Sequence, residues 1–170
     1  MRLTEVGAQR FTDDAVLESP ASRTPIDVLI VEDNLNDADL TTHALKEQIP
    51  PERIKEVHDG AEALDFIFCK GDYANRDPRQ QPKLILLDLQ LPKVEGLEVL
   101  RRIRADPLTQ DIPVVIFTTS KEDRNIIEGY KLGANSFVIK RQDFDQFVKG
   151  IEALGVYWLV MNKPAANIQS

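Results

Sequence analysis

The chain cannot cross-link itself: Cys69 is the one cysteine among 170 residues, so no internal disulfide can form. That suits a reducing cytosol, and Cys69 is expected to be a small buried hydrophobe. No apolar stretch reaches the ~18 residues of a membrane-spanning helix. Residues 1–24 lack the continuous apolar middle of a secretion signal. A basic surplus is missing as well. With 21 Lys and Arg against 28 Asp and Glu, the net charge is -7, which argues against direct nucleic-acid binding because nothing is left over to neutralise phosphates. Internal repeats and low-complexity tracts are absent too. The expectation is a soluble cytoplasmic protein with no nucleic-acid or membrane partner.

What is present is enough apolar material for one core, at 42% hydrophobic content, so a single domain is the default. Two short apolar runs end in carboxylates. Val28-Leu29-Ile30-Val31 stops at Glu32-Asp33, and Leu84-Ile85-Leu86-Leu87 stops at Asp88. Unbroken runs of this kind suit strands buried on both faces of a parallel sheet. From Ile26 onward, strand-like and helix-like segments alternate, which points to a doubly wound α/β fold.

Strands are expected at about 26–32, 53–58, 83–88, 112–118 and 136–139. Helices are expected at about 36–48, 60–70, 95–104, 121–132 and 143–161. Asn34 followed by Asp37 marks a helix start, because a short polar side chain caps free backbone N–H groups. Pro50-Pro51 ends that helix, and Gly133 ends the fourth. The stretch 71–82, rich in Gly, Asp, Asn, Pro and Gln, reads as a surface loop.

In such sheets the site lies outside the strand C-termini, where the topology changes direction. Glu32-Asp33, Asp88, Thr118 and Lys140 stand at four strand ends. Three carboxylates gathered in one crevice call for a cation or a proton, and Mg²⁺, which prefers oxygen ligands, is the economical choice. Phosphoryl transfer needs an oxygen nucleophile, a metal and positive donors. Asp88 suits the nucleophile, since carboxylates form acyl-phosphates. Asp33, backed by Glu32, suits the metal, while Thr118 and Lys140 suit the phosphoryl oxygens. His43 and His58 have no ligand neighbour at helical spacing and are expected at surface or strand-edge positions.

These residues resemble the receiver domain of two-component response regulators. The resemblance rests on Glu32-Asp33, on Asp88 through Pro92 with Gly96, on Pro113 through Thr118, and on Phe137-Val138-Ile139-Lys140. It covers about residues 25–150, leaving 1–24 as a loosely ordered extension and 151–170 as the end of the last helix and a tail. It implies a flavodoxin-like sheet of five parallel strands in the order 2-1-3-4-5 with five helices. It implies phosphorylation of Asp88 by a partner histidine kinase. It further implies Mg²⁺ held by Asp33, Asp88 and the backbone carbonyl of Gln90, with Glu32 acting through water. Thr118 and Phe137 would couple phosphorylation to a surface change.

Within that family, the Glu-Asp-Asn start, Thr118-Thr119-Ser120, the 71–82 loop and Tyr157-Trp158 are similar to stand-alone regulators paired with cyanobacterial and bacterial phytochromes. One position departs from the pattern. Receivers usually carry proline, with a cis bond, directly after the lysine; here Arg141 follows, and a cis bond before a non-proline costs about 2.5–4 kcal/mol. Lys140 then reaches the site by a different backbone path, or Arg141 favours trans.

The stretch Leu154 through Met161 places Val156, Trp158, Leu159 and Val160 around more of a helix than a single apolar stripe requires. An exposed remainder suggests a subunit interface. A homodimer through the last helix, with the fourth helix and fifth strand, is expected. Few residues follow that helix, so a signalling module without an output domain is expected, working through protein contacts.

The alternative is a phosphatase of the haloacid-dehalogenase type with Asp88 as nucleophile. Such enzymes carry a second acid two residues on, where this chain has Gln90, which cannot donate a proton on demand. A flavodoxin-like cofactor binder would need a phosphate-cradling loop after the first strand, where Glu32-Asp33 would repel phosphate.

Overall fold

Apolar runs without a polar break become the inner strands of a sheet, because only positions covered on both faces tolerate them. The computed structural model describes residues 24–140 and 143–164. In it, β1 (Val28–Val31), β3 (Leu84–Leu87) and β4 (Val114–Thr118) are buried at every position. They are flanked by β2 (Ile54–Val57) and β5 (Ser136–Ile139), whose residues are mostly half-buried, as edge strands are. All pairings are parallel, and the order is β2-β1-β3-β4-β5. Five helices alternate with the strands: α1 (Leu35–Leu45), α2 (Gly60–Ile67), α3 (Gly96–Ala105), α4 (Asp123–Lys131) and α5 (Phe144–Gly155). The doubly wound, flavodoxin-like expectation holds.

Successive strand residues point to opposite faces, and the core divides accordingly. Leu29, Val31, Ile85, Leu87, Val114 and Ile116 face α2 and α3. Val28, Ile30, Leu84, Leu86, Val115 and Phe117 face α1 and α5. On the second face, Phe147 and Ile151 of α5 are 6% and 0% exposed, and full burial of such a side chain is worth about 1.5–3 kcal/mol. Phe147 meets Phe117 edge-on, with ring centroids 5.4 Å apart.

Local chemistry sets the helix ends. The Asn34 side chain accepts the Asp37 N–H at 3.0 Å, and Asp59 and Asp143 cap α2 and α5 in the same way. Gly133, with φ of 99°, follows α4 in the left-handed region that glycine tolerates. Several expected boundaries shift. The second helix stops at Ile67, because Cys69 turns left-handed with φ of 55°. The last helix stays α-helical only to Gly155, and Val156–Met161 winds on as a π-helical turn. β4 begins at Val114 rather than Ile112, since Pro113 offers no N–H to a ladder. The 71–82 loop contains a short 3₁₀ turn, Gly71–Tyr73.

Candidate functional site

The sheet order places the change of direction between β1 and β3, whose C-terminal ends carry Glu32 and Asp88. The ladder continues one step past both strands: Glu32 N–H donates to Val57 O at 3.0 Å, and Asp88 N–H to Val31 O at 3.1 Å. Lys140 is held likewise, its N–H donating to Thr118 O at 2.8 Å. Three candidate side chains thus spring from backbone tied into the sheet ladder.

The side chains converge. Carboxylate oxygens of Glu32, Asp33 and Asp88 all lie within 4.8 Å of one another, with Glu32 and Asp88 buried and Asp33 exposed. Such a set of hard oxygen donors, open on the Asp33 side, fits a divalent cation. Lys140, 8% exposed, places its Nζ 3.2 Å from Asp88 Oδ2 and pairs with Glu32 Oε1. Asp88 Oδ1 accepts the Gln90 N–H at 3.2 Å, so Gln90 joins the cluster through its backbone. A groove of about 490 Å³ opens beside the cluster, lined by Asp33, Gln90, Pro92, Glu95 and Asn125 among others.

Burial pushes the Glu32 carboxyl up to about 7; the Lys140 ammonium pulls it down, and Asp88 adds to the rise. For Lys140, burial works to lower the pKa, but Glu32 and Asp88 more than offset it, so the net direction is upward. The pair therefore keeps its ammonium charged, and Glu32 is the member that yields.

Not every expected residue joins the cluster. Thr118 is fully buried, and its hydroxyl accepts the Ser120 N–H at 3.3 Å; among the described residues no hydrogen bond ties it to Asp88. Phe137 is half-buried against the first core cluster, beside Gly129 of α4. The Lys140–Arg141 bond lies outside the described residues, as do residues 1–23 and 165–170.

One reading is corrected. Cys69 is half-buried rather than buried, with Arg76 Nη1 at 3.6 Å from its sulfur, because the left-handed turn after α2 carries it out of the core. Trp158 and Leu159 pack half-buried on the second cluster, while Val156, Tyr157, Val160 and Met161 are exposed; the π-helical winding divides the apolar residues in this way. His58 stands just past the end of edge strand β2, but it does more than occupy that edge. Its Nδ1 lies 2.9 Å from the Glu32 backbone oxygen.

Sequence reasoning passed over Asp37, read as part of a helix start, and this contact of His58. Asp37 Oδ2 lies 3.2 Å from Lys140 Nζ. Its spacing of one helical turn after Asp33 was a usable signal. The place of His58 was reachable from register, since Val57 pairs with Val31 and residue 58 must neighbour Glu32.

Known proteins are similar to this chain in sequence and in fold. The chain is 36% identical over 149 residues to the response regulator Rcp1 of Synechocystis sp. (strain ATCC 27184 / PCC 6803 / Kazusa), covering 87% of this chain and 99% of that protein. The crystal structure of the phosphorylated cyanobacterial phytochrome response regulator RcpA is 35% identical, with a TM-score of 0.77 over 83% of this chain and 99% of that one. The Mn²⁺-bound form of Rcp1 aligns with a TM-score of 0.73 at 34% identity, over 82% and 99% of the two chains. The pattern of the response regulator receiver domain matches residues 28–152. That match runs from the first residue of the sheet into the last helix, and the chain belongs to the response regulator receiver domain family.

Proposed function

We propose that this chain is a phospho-acceptor switch of a two-component system, in which Asp88 takes a phosphoryl group from a histidine kinase. One observation carries the reading: Glu32, Asp33 and Asp88 meet within 4.8 Å, with the Lys140 ammonium 3.2 Å from Asp88 Oδ2. An Asp88 carboxylate oxygen attacks phosphorus and forms the acyl-phosphate bond. The P–N bond to the kinase histidine breaks, and its electron pair returns to the imidazole. Magnesium, held by Asp33, Asp88 and the Gln90 carbonyl with Glu32 behind, would neutralise charge on the phosphoryl oxygens. Lys140 takes up the remaining charge, and the Thr118 hydroxyl turns from Ser120 to the phosphoryl group. The Phe137 ring, at the half-buried edge of the first core cluster, follows that movement to the surface between α4 and β5.

The relatives named as phytochrome response regulators favour a phytochrome-type kinase as the donor. The protein works in the cytoplasm, without nucleic acid; no helix among the described residues is long and apolar enough to cross a membrane. It catalyses its own phosphorylation and slow dephosphorylation rather than turning over a substrate. Output passes through protein contacts, and a homodimer is built on the π-helical turn that continues α5, where Val160 and Met161 are 65% and 69% exposed. Light scattering on the natural chain and on Val160→Asp is expected to give a dimer and a monomer respectively. A natural chain that is monomeric at tens of micromolar would end the dimer reading.

The test of the main reading is intact mass after incubation with a small phosphodonor and Mg²⁺. A single phosphoryl adduct is expected on the natural chain, and none on Asp88→Asn or in chelator. Repeated turnover of a generic phosphate ester would instead favour the phosphatase.

A further inference from the structure

Asp37 has no place in the chemistry described so far, yet it touches the same ammonium. Lys140 Nζ lies 3.2 Å from Asp37 Oδ2 and 3.2 Å from Asp88 Oδ2, and it pairs with Glu32 Oε1. An ammonium has three N–H donors, so these three carboxylates account for all of them. Glu32 and Asp88 also belong to the acid cluster that fits a metal; Asp37 does not. Among the described residues its carboxylate pairs with Lys140 alone.

The backbone of Asp37 is held at both its N–H and its carbonyl. Its N–H donates to Asn34 Oδ1 at 3.0 Å, and its carbonyl accepts the Thr41 hydroxyl at 2.7 Å. Thr41 is itself buried. The side chain therefore stands on a fixed post at the first turn of α1, reaching across to a lysine 103 positions later in the chain.

We propose that Asp37 is a positioning residue for phosphoryl transfer. It fixes the third proton of the Lys140 ammonium, so the other two stay aimed at Glu32 and Asp88. When the phosphoryl group arrives at Asp88, the ammonium swings about this anchor instead of searching for its partner. A catalytic group held in place in advance accelerates the step it serves. This inference rests on Asp88 being the phospho-acceptor.

A rival role makes the opposite forecast. If Asp37 contributed only a negative charge near the site, its removal would ease the approach of an anionic phosphodonor and speed phosphorylation. If it positions Lys140, its removal slows the reaction.

The experiment measures the maximal phosphorylation rate with a small phosphodonor at saturating Mg²⁺, and separately the affinity for Mn²⁺. The proteins are the natural chain, Asp37→Asn, Asp37→Glu, Lys140→Ala and the Asp37→Asn/Lys140→Ala pair. The Asp37→Asn change keeps the backbone contacts of the cap and removes the charge. The expected result is a rate about tenfold lower in Asp37→Asn, the worth of one charge-assisted hydrogen bond, with partial recovery in Asp37→Glu. Mn²⁺ affinity should stay within about twofold, since Asp37 lies outside the acid cluster and reaches it only through Lys140. In the Lys140→Ala background, Asp37→Asn should have no further effect, because coupled residues are not additive. An unchanged or faster rate in Asp37→Asn overturns the proposal, as does an effect that persists without Lys140. A natural chain that takes up no phosphoryl group overturns the phospho-acceptor reading together with it, whereas a normal adduct with an indifferent Asp37 overturns this inference alone.

Discussion

Replacing Glu32 with glutamine in the presence of a chelator probes the resting site most directly. In the folded chain, burial lifts Glu32 from 4.5 to about 7, against the pull of Lys140 and with the help of Asp88. Between those values the folded protein keeps a proton that the unfolded chain has released. A folded state that binds more protons loses stability as pH rises. The window therefore runs from about 4.5 to about 7. With solvent screening discounted, the total loss by about pH 8 is roughly 2–3 kcal/mol. That is a readable share of the roughly 5–15 kcal/mol that holds an ordinary domain folded.

The Glu32→Gln variant has no such proton. The two proteins should be equally stable near the acid end of the window, and the variant should lead by roughly 2–3 kcal/mol at about pH 8. Glu56, also raised by burial and then by Asp39 nearby, titrates in both and cancels in the difference. Urea unfolding at a series of pH values reads this out, with Trp158 fluorescence as the probe, because that ring packs on the second core cluster. Adding Mg²⁺ should flatten the slope of the natural chain, a bound cation serving where the proton did. Parallel pH profiles for the two proteins, or a Glu32→Gln variant weaker than the natural chain above neutrality, would refute the reasoning.

Arg104 binds four acceptors: Gly133 O at 3.0 Å, Gln110 O at 3.0 Å, Ile112 O at 2.8 Å and Asn135 Oδ1 at 2.9 Å. Arg104→Ala removes these four hydrogen bonds, although Asn135 Oδ1 keeps the Val114 N–H, and is expected to cost about 2 kcal/mol in urea unfolding. A Cβ at Gly96 would run into the backbone oxygen of Asp88, so Gly96→Ala should shift the Asp88 loop. Its expected signature is a slower phosphorylation rate than the stability loss explains, measured on the folded fraction. The Tyr73 hydroxyl donates to Glu62 Oε1 at 2.6 Å, and Tyr73→Phe should lower stability by about 1 kcal/mol in the same unfolding assay, leaving phosphorylation unchanged.

Much of the fold was legible because parallel strands advertise themselves. Val28 through Val31 and Leu84 through Leu87 have no polar interruption, and a strand covered on both faces needs none. Capping chemistry was equally local: Asn34 with Asp37, and Gly133 after α4, act within a few residues of themselves. The end of the last helix was less legible. Leu154 through Met161 is apolar on several sides, and no local rule says where α-helical winding gives way to the π-helical turn at Val156. Cys69 was misread for a related reason, since its exposure follows from a left-handed backbone whose cause is the loop beyond it.

Chain order and residue type by themselves determined which carboxylates, hydroxyl and ammonium stand at strand ends, since apolar periodicity marks each end and the next polar residue is plain to read. What tertiary structure alone decided is who touches whom. Asp37 meets Lys140 because the start of α1 follows directly on β1, at the sheet edge where β5 also ends, although β3 and β4 stand between the two strands. His58 meets Glu32 through the pairing of β2 with β1. Thr118 lies at its strand end yet bonds Ser120. Contacts across many tens of residues depend on sheet register and helix packing angle, quantities set by the whole core at once and written in no single stretch of the chain.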